Sequence, residues 1–282
     1  MANDAVDRDQ ETLVESRLAE RGVHLEPLGK GVSRVSWTPD LQDEGFEPAS
    51  AAVRAGVSLA LDELGQKRVE ALVDPDDVTA TRIATWAGMR REGVMRGAVE
   101  HSGQRHDRVV FARLHGDEPA TAAKGFRALL NSFLPRKRAI SQMLVRDTGG
   151  RVLLCNLTYK KDWDLPGGVV EVGESPASAV SREIHEELQL DIDAGRLLLT
   201  DWLPPWSGWD DAVCLVFDGG AHDPGLAESV VPQAREIRQA RFCTLAEVHT
   251  LCADFTARRI DSALAGLESA GSPAYTESGR PL

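Results

Sequence analysis

The segment from Gly167 to Leu190 places several acidic side chains close together. Glu183, Glu186 and Glu187 lie three and four residues apart, so they share one face of the helix predicted over PASAVSREIHEEL. Each like-charge pair at this spacing should destabilise a helix by roughly a few tenths of a kcal/mol. A divalent cation would reverse that sign, because hard cations such as Mg²⁺ prefer several carboxylate oxygens as ligands. The glutamates alone leave two interpretations open, a metal site and a solvated acidic helix face.

Local signals explain how the chain would position this helix. Ser175 suits the N-cap, and Pro176 suits the first helical position, where a missing N–H costs nothing. Gly167 and Gly168 let the preceding LPGG loop turn tightly and expose a backbone carbonyl beside the helix. The buried side is predicted by an apolar stripe of Ala177, Val180, Ile184 and Leu188. Because Mg²⁺ often bridges protein carboxylates to substrate phosphates, the arrangement indicates phosphoryl chemistry.

The spacing of these residues also resembles a known family motif. The pattern is similar to the Nudix box, G-x5-E-x7-R-E-U-x-E-E-x-G-U, where U is aliphatic. In this chain it consists of Gly168, five residues, Glu174, seven residues and then REIHEELQL. Trp163, ahead of Leu-Pro-Gly-Gly, resembles the approach to that box. Gln189 departs from the pattern, because the family has a glycine that caps the helix in a left-handed conformation. We expect this glutamine to cost roughly 1 kcal/mol or to let the helix continue.

The resemblance covers about residues 136–265 and implies a fold, an activity and a metal. The fold would be an α/β/α sandwich around a mixed sheet. The activity would be Mg²⁺- or Mn²⁺-dependent hydrolysis of a phosphoanhydride in a nucleoside diphosphate linked to another moiety, such as ADP-ribose or a nucleotide sugar. The family pattern implies that the metal site comprises Gly168, through its carbonyl, and the carboxylates of Glu174, Glu183, Glu186 and Glu187.

The same pattern implies three catalytic residues. Arg182 would orient the glutamates, Glu187 would be a metal ligand, and Glu183 would be a further ligand or the base that activates water. Family members differ in where they keep the base. Another carboxylate further along the chain, Glu228 or Glu236, could therefore serve instead.

A tryptophan-rich stretch, TDWLPPWSGWDD, follows the motif and is a candidate for substrate binding. Trp202, Trp206 and Trp209 could stack on a nucleobase, since base stacking on an aromatic ring contributes about 1–3 kcal/mol in single-stranded nucleic acid complexes. Alternatively, they pack in the core or at a subunit interface. Lys160, which precedes the LPGG loop, could meet phosphates, or it could form an exposed pair with Lys161.

The N-terminal part has a different pattern, a strand, a helix, a strand, a helix and a hairpin over about residues 33–114. EALVDPDDVTATRIATWAGMRREGVMRG, followed by RHDRVVFARL, resembles the C-terminal half of a GNAT acyltransferase. The resemblance covers about Val23 to Leu114. In that family, a glycine-rich turn holds the pyrophosphate of acetyl-CoA with backbone N–H groups. This chain has DEGFEPAS there, with Glu44, Glu47 and Pro48, and Asp77 replaces an expected asparagine. We expect a truncated, degenerate domain without acetyl-CoA, acting as a scaffold, a dimerisation surface or a substrate lid.

The whole chain sets limits on organisation and partners. Its 282 residues suggest about two domains. We expect an α/β (α+β) protein with a GNAT-like domain at 1–115, a linker with a short helix at 116–135, a Nudix domain at 136–267 and a flexible tail at 268–282. The net charge of −12 argues against a nucleic acid polymer or an anionic membrane as partner. No apolar run of membrane-spanning length appears and the N-terminus is acidic and polar, which favours the cytoplasm.

The leading hypothesis is a Nudix hydrolase acting on a small nucleotide derivative, either as a monomer or as a homodimer. One alternative is a Nudix-like protein that senses a nucleotide without hydrolysing it. The presence of all four charged residues of the motif weighs against that alternative, because a protein that only senses a nucleotide could lose them without losing its function. These residues are Arg182, Glu183, Glu186 and Glu187. Another alternative is a bifunctional acetyltransferase and hydrolase. The segment 44–49 disfavours it, because Glu44 and Glu47 would repel the pyrophosphate of acetyl-CoA.

Overall fold

The computed structural model of the chain describes residue 16, residues 18–268 and residues 274–282. Contacts divide the chain into two compact units, one up to residue 135 and one from residue 136 onward. Over the described ranges, the helices are too short or too polar to cross a membrane.

The first unit is built on a five-stranded sheet with helices. Its strands are β1 (Val23–Gly29), β2 (Val32–Trp37), β3 (Arg68–Val73), β4 (Arg90–His101) and β5 (Gln104–Leu114). Their order is β1-β2-β3-β5-β4, and β2 and β3 are the parallel pair. The helices are α1 (Pro39–Asp43), α2 (Phe46–Asp62), α3 (Val78–Trp86) and α4 (Ala123–Phe133). The predicted strands and helices over residues 33–114 are present in the predicted order, and β1 and the short helix α1 are additional elements.

Two features of this unit bear on the resemblance to acyltransferases. Helix α2 begins after Gly45 without a side-chain cap, and Glu47 lies in its first turn. Asp77 caps α3 by accepting a hydrogen bond from Ala80 N at 2.8 Å, and it also accepts from the amide of Gln42. The aspartate therefore has a structural partner in both the helix and the neighbouring segment.

The second unit contains an eight-stranded mixed sheet. Its strands are β6 (Arg138–Asp147), β7 (Val152–Leu157), β8 (Gly167–Val169), β9 (Leu197–Leu203), β10 (Ala212–His222), β11 (Ile237–Cys243), β12 (Ala274–Glu277) and β13 (Arg280–Pro281). The order is β11-β7-β6-β10-β9-β12-β13, with β8 paired to β6. The helices are α5 (Pro176–Leu188), α6 (Leu245–Leu251) and α7 (Asp254–Glu268), with a 3-10 helix at Pro224–Ser229.

Apolar residues on both faces of this sheet form two separate cores. On one face Met143 packs with Val180 and Ile184 of α5. On the other face Leu144, the next residue along β6, packs with Ile260 of α7. Successive strand residues point to opposite faces, so one buried strand serves both cores. The expected α/β/α sandwich around a mixed sheet is confirmed.

The C-terminal segment differs from the expected flexible tail. In the described part, β12 pairs with β9 and β13 pairs with β12. Thr276 Oγ1 and Gly279 N donate hydrogen bonds to Asp201 Oδ1 at 2.7 and 2.8 Å. Asp201 is fully buried and needs such partners. The expectation of a loose segment is therefore wrong for residues 274–282.

The segment at 116–135, expected as a linker, carries α4. This helix contacts β4, and Arg91 N donates to Ser132 Oγ at 3.2 Å. The helix at FRALLNSFL was predicted, but its contact with the sheet of the first unit was not.

Candidate active site

Helix α5 has the predicted bounds, residues 176–188. Ser175 caps it by accepting a hydrogen bond from Ser178 N at 3.2 Å, and Pro176 is its first residue. The helix stops where the sequence departs from the motif: Gln189 has φ 56° and ψ 34°, the left-handed conformation. Its side-chain amide donates to His185 O at 3.1 Å, which partly compensates for the strained backbone. The helix therefore does not continue past Leu188, and the energetic cost of the left-handed glutamine stays a prediction.

We expect Gln189→Gly to stabilise the protein by ~0.5–1 kcal/mol, because glycine adopts positive φ without the steric cost that glutamine bears. Urea unfolding of the two proteins measures the difference. Gln189→Ala is the matched control, since it keeps the strain, loses the amide hydrogen bond and should be less stable than the natural protein. If the glycine variant were no more stable than the alanine variant, this account of the cap would fail.

Arg182 is the centre of the acidic cluster. Its Nε and Nη2 donate to the two oxygens of Glu174 at 3.0 and 3.1 Å. Its Nη1 donates to Glu183 Oε1 at 2.9 Å and to Glu186 Oε2 at 3.0 Å. These bonds, first of all those to Glu174, raise the pKa of Arg182, and the same contact lowers the pKa of Glu174. One cation thus holds three of the predicted carboxylates.

Glu187 is not among the carboxylates that Arg182 binds, and it is almost completely buried, at 4% exposure. Burial raises its pKa to about 8; a hydrogen bond from Gly167 N at 3.1 Å opposes the rise, and the charges of Glu183, Glu236 and Asp164 add to it. Burial also raises the pKa of Glu183, against the opposing effect of Arg182. A buried carboxylate surrounded by other carboxylates is a site where a cation would be favoured electrostatically.

Gly168 brings the backbone close to the cluster. It lies in β8 and pairs with Ser141 of β6. A Cβ atom at this position would lie 2.5 Å from the carboxylate carbon of Glu183. Only glycine therefore allows the strand and this carboxylate to approach so closely.

We expect Gly168→Ala to lower hydrolytic turnover by about tenfold or more while changing the unfolding midpoint little. The added methyl group meets the flexible end of Glu183, so the carboxylate moves and the backbone stays. Gly173→Ala is a contrasting variant, because Gly173 has φ 87° but a Cβ there would meet no atom within 4 Å. It should lose stability and keep turnover. Steady-state kinetics and thermal unfolding of both variants test this, and equal turnover in the two would contradict it.

The chemical type of the candidate donor atoms suits a hard divalent cation. The set consists of carboxylates from α5, a further carboxylate at Glu174 and a backbone carbonyl at Gly168, all oxygen donors. Across residues 18–268 and 274–282, no three Asp, Glu, His or Cys side chains are arranged to hold a metal ion. The carboxylates of Glu174, Glu183 and Glu186 are instead held by Arg182.

Of the two other candidate bases, Glu236 lies beside the cluster. Its charge raises the pKa values of Glu183 and Glu187. Its segment is tied to the end of α5, because Gln233 N donates to Glu187 O at 2.8 Å. Glu228 is in the 3-10 helix Pro224–Ser229, earlier in the same connection.

Next to Gly167 and Gly168 lies a cleft of about 380 Å³. Its walls are largely apolar and aromatic, and the sequence prediction placed two of its residues, Trp206 and Trp209, in contact with substrate. These two residues pair with each other across a two-residue turn, with N···O distances of 3.1 and 2.9 Å. Ser207 and Gly208 both have positive φ, which is the type I′ hairpin geometry. The turn therefore holds both indoles at one rim of the cleft.

The structure separates Trp202 from the other two tryptophans. It lies in β9, opposite Glu277 of β12, and borders a different depression. Its indole hydrogen-bonds Asp211. The structure therefore does not bring Trp202 together with Trp206 and Trp209, and substrate binding by Trp202 stays a prediction.

Lys160 lies at the cleft and is paired there with Asp164 Oδ2 at 2.5 Å, and its contact with phosphates stays a prediction. Burial would raise the pKa of Asp164, but Lys160, Arg259 and hydrogen bonds outweigh it, so the pKa is lowered. Tyr159, not predicted, also lines the cleft. Burial and the charges of Glu187 and Asp164 raise its pKa to about 12.

Two more cleft residues, Gln142 and Arg259, were missed by the sequence analysis. Arg259 lies on α7 among buried residues and is 2% exposed. A signal existed, because a charged residue on the apolar face of a predicted helix indicates a buried polar partner. Gln142, inside an apolar strand, carried a similar signal.

Comparison with known proteins identifies the second unit. The family model described as NUDIX domain matches residues 135–264, which include the whole cluster on α5 and most of the cleft. Residues 135–264 form a NUDIX domain. The resemblance seen in the sequence motif is confirmed, and the helix that carries the Nudix box is α5.

Two curated proteins are similar to parts of this chain. A nucleoside triphosphatase, NudI, of Escherichia coli is 38% identical over 81 residues, which cover 27% of this chain and 52% of the relative. A putative ADP-ribose pyrophosphatase, YjhB, of Bacillus subtilis is 44% identical over 48 residues, which cover 17% of this chain and 23% of the relative. The similarity thus spans about half or less of the length of these relatives.

Structural neighbours extend beyond the NUDIX domain. A GNAT-family acetyltransferase from Bacillus anthracis has 22% sequence identity and a TM-score of 0.30, and it covers 33% of this chain and 57% of its own. GNAT acetyltransferases are thus among the structural neighbours of the N-terminal region.

Proposed function

We propose that the protein hydrolyses a phosphoanhydride bond in a small nucleotide derivative, a nucleoside diphosphate linked to another moiety. The observation that carries this proposal is the position of the cleft. It is bordered by Gly167 and Gly168, and the same two glycines touch Glu187 and Glu183. A substrate whose base lies against Trp206 and Trp209 would therefore extend its phosphates toward the α5 carboxylates.

The metal in this proposal is Mg²⁺ or Mn²⁺. Glu186, Glu187 and the carbonyl of Gly168 would hold it, with Glu183 and Glu174 as further donors. Bound there, it would neutralise charge on the phosphates and lower the pKa of the attacking water. This requires that Arg182 release at least Glu186, which is the most exposed of its three carboxylate partners.

The protein supplies the remaining steps of hydrolysis. Glu183 or Glu236 accepts the proton of the attacking water, since both lie beside Glu187. Burial raises the pKa of Glu183, which makes this carboxylate a stronger base than an exposed one. Arg182 keeps the carboxylates oriented through its bidentate contact with Glu174.

The substrate class follows from the cleft and from the relatives. The curated relatives are named as an ADP-ribose pyrophosphatase and a nucleoside triphosphatase. Both names describe nucleotides with a phosphoanhydride bond, and an aromatic cleft suits a nucleobase. We therefore propose ADP-ribose, nucleotide sugars and nucleoside triphosphates as the compounds to try first. The cytoplasm and a homodimer remain predictions made from the sequence.

A second candidate is a nucleotide sensor that does not hydrolyse its ligand. The ion pairs of Arg182 with Glu174, Glu183 and Glu186 favour the sensor, because carboxylates that stay paired with Arg182 are not free to bind a cation. A sensor would bind nucleotide in the cleft and show no turnover with any metal.

Phosphorus NMR of the purified protein with Mg²⁺ and a panel of compounds tests the proposal. The panel consists of ADP-ribose, NADH, nucleotide sugars, dinucleoside polyphosphates and nucleoside triphosphates. We expect one compound to give a pair of phosphate products that identifies the broken bond. No product from any compound, combined with tight nucleotide binding, would favour the sensor instead.

For the first unit we propose a scaffold or lid without acetyl-CoA chemistry. Glu47 lies in the first turn of α2, where the family resemblance would place the pyrophosphate. We expect calorimetry to detect no binding of acetyl-CoA at millimolar concentration. Binding with micromolar affinity would restore the bifunctional alternative. A competition experiment with coenzyme A distinguishes a specific site from weak adsorption.

A further inference from the structure

Arg259 has a buried hydrogen-bond donor without an acceptor. Its Nε donates to Asp201 Oδ2 at 2.8 Å, and its Nη1 donates to Gln142 Oε1 at 3.0 Å. Its Nη2 is buried and has no hydrogen-bond partner among the described residues. Leaving such a group unpaired is costly, and native proteins do so rarely. Because Arg259 also lines the cleft, its free donor belongs to the wall that would meet a ligand.

The surrounding contacts fix this donor in place. Asp201 accepts from Arg259 and also from Thr276 and Gly279, so it cannot turn away. The amide of Gln142 donates to Asp164 Oδ1 at 2.9 Å and accepts from Arg259, which fixes its orientation. With two sides of the guanidinium held, Nη2 is presented in one direction. A preorganised donor of this kind discriminates between ligands without paying to become ordered.

The charges connected to Arg259 through Gln142 are paired, which indicates the kind of acceptor. Arg259 is paired with Asp201, and Lys160 is paired with Asp164. A phosphate at Nη2 would bring uncompensated negative charge into a buried site, at a large desolvation cost. A neutral carbonyl oxygen would satisfy the donor without changing that balance.

Aromatic residues lie over this donor. The Phe255 ring centroid is 5.6 Å from Arg259 Cζ, and the Trp206 ring is 5.6 Å from that of Phe255. Arg259 is only 2% exposed, so a neighbouring side chain, with Phe255 as the candidate, must move aside before a ligand reaches Nη2. Trp206 is 56% exposed at the tip of its turn and has room to move with Phe255. A flat ring that takes this place would be stacked by an indole and would present its edge to Arg259.

We propose that the cleft selects nucleobases with a carbonyl oxygen on the edge that faces Arg259, and that Nη2 donates to this oxygen. Hypoxanthine and guanine would therefore be preferred to adenine, which has an amino donor at the same position. This inference rests on the proposed function, because it assumes that the cleft holds the base of a nucleotide.

Calorimetry with matched purine monophosphates tests the proposal on the full chain. Inosine 5′-monophosphate and purine riboside 5′-monophosphate differ at the base edge, where only the former has the carbonyl group. EDTA is added to remove metal, so that binding is measured without turnover. We expect inosine monophosphate to bind at least about tenfold more tightly, which corresponds to about 1.4 kcal/mol. Adenosine 5′-monophosphate should bind as weakly as the purine riboside compound.

The Arg259→Lys variant tests the same point from the side of the protein. Lysine keeps a positive charge for Asp201 and removes Nη2, so the two purine monophosphates should bind it with equal affinity. If the variant fails to fold, the comparison of the two purine monophosphates on the natural protein still tests the proposal. Equal affinities for the natural protein, no binding of inosine monophosphate, or a preference that survives in the variant would each overturn the proposal.

The result of this binding test can be distinguished from the result of the hydrolysis test of the proposed function. A preference for inosine monophosphate without hydrolysis of any compound would keep this inference and exclude the hydrolase. Hydrolysis without a preference for the carbonyl compound would exclude this inference alone.

Discussion

Glu187→Gln is expected to reduce hydrolytic turnover by about 100-fold or more, while the protein keeps its fold. A glutamine has nearly the same shape and can still accept the hydrogen bond from Gly167 N. It removes the charge that a cation at this site would need, and loss of one group that stabilises transition-state charge costs about 10²–10³ in turnover. Because Glu187 is buried among other carboxylates, its neutralisation should leave stability unchanged or increase it.

The control for this variant is Glu268→Gln, an exposed residue at the end of α7. It removes the same charge from the same unit of the chain and should turn over at the natural rate. Steady-state assays and thermal unfolding of the three proteins give both readouts. Natural turnover in Glu187→Gln would mean that the carboxylates on α5 form only a charged helix surface.

Trp206→Ala is expected to raise KM by about tenfold for the nucleotides that bind best, with unequal effects between bases. Trp206 is more than half exposed, so its removal costs the fold little. Its indole lies at the rim of the cleft against Phe255, where stacking on a base would contribute about 1–3 kcal/mol. Purines stack over a larger area than pyrimidines, so we expect them to lose more.

Trp202→Ala is the matched control, because Trp202 lies in β9 outside the cleft. It should lower stability without changing the relative KM values of purine and pyrimidine nucleotides. KM values for four nucleotides with each protein decide the question. A change in Trp206→Ala that is the same for every base would count against stacking.

The fold of both units followed largely from local patterns in the sequence. The bounds of α5 were predicted to the residue, since Ser175, Pro176 and the apolar stripe are all local signals. The C-terminal strands were missed, because residues 274–281 are mostly polar and pair with β9, more than 70 positions earlier. No local pattern reveals that Asp201 is buried and takes two of its hydrogen bonds from this segment.

The candidate site was predictable where residues are close in sequence and unpredictable where they are not. The Nudix box brought Gly168 and the glutamates together in one motif. The cleft instead combines β6, the turn at Trp206 and helix α7, so Arg259 could only be placed by the tertiary structure. The resemblance implied that Arg182 orients the glutamates, and the structure adds its individual contacts with Glu174, Glu183 and Glu186, which the motif does not give.

The central claim is that the carboxylates of α5 form a divalent-cation site. Titration of Mn²⁺ into the natural protein and into Glu187→Gln, followed by electron paramagnetic resonance of free Mn²⁺, tests it most directly. We predict that the natural protein binds at least one Mn²⁺ and that the variant binds it at least about tenfold more weakly. Equal binding by the two proteins, or none by the natural protein, would contradict the claim.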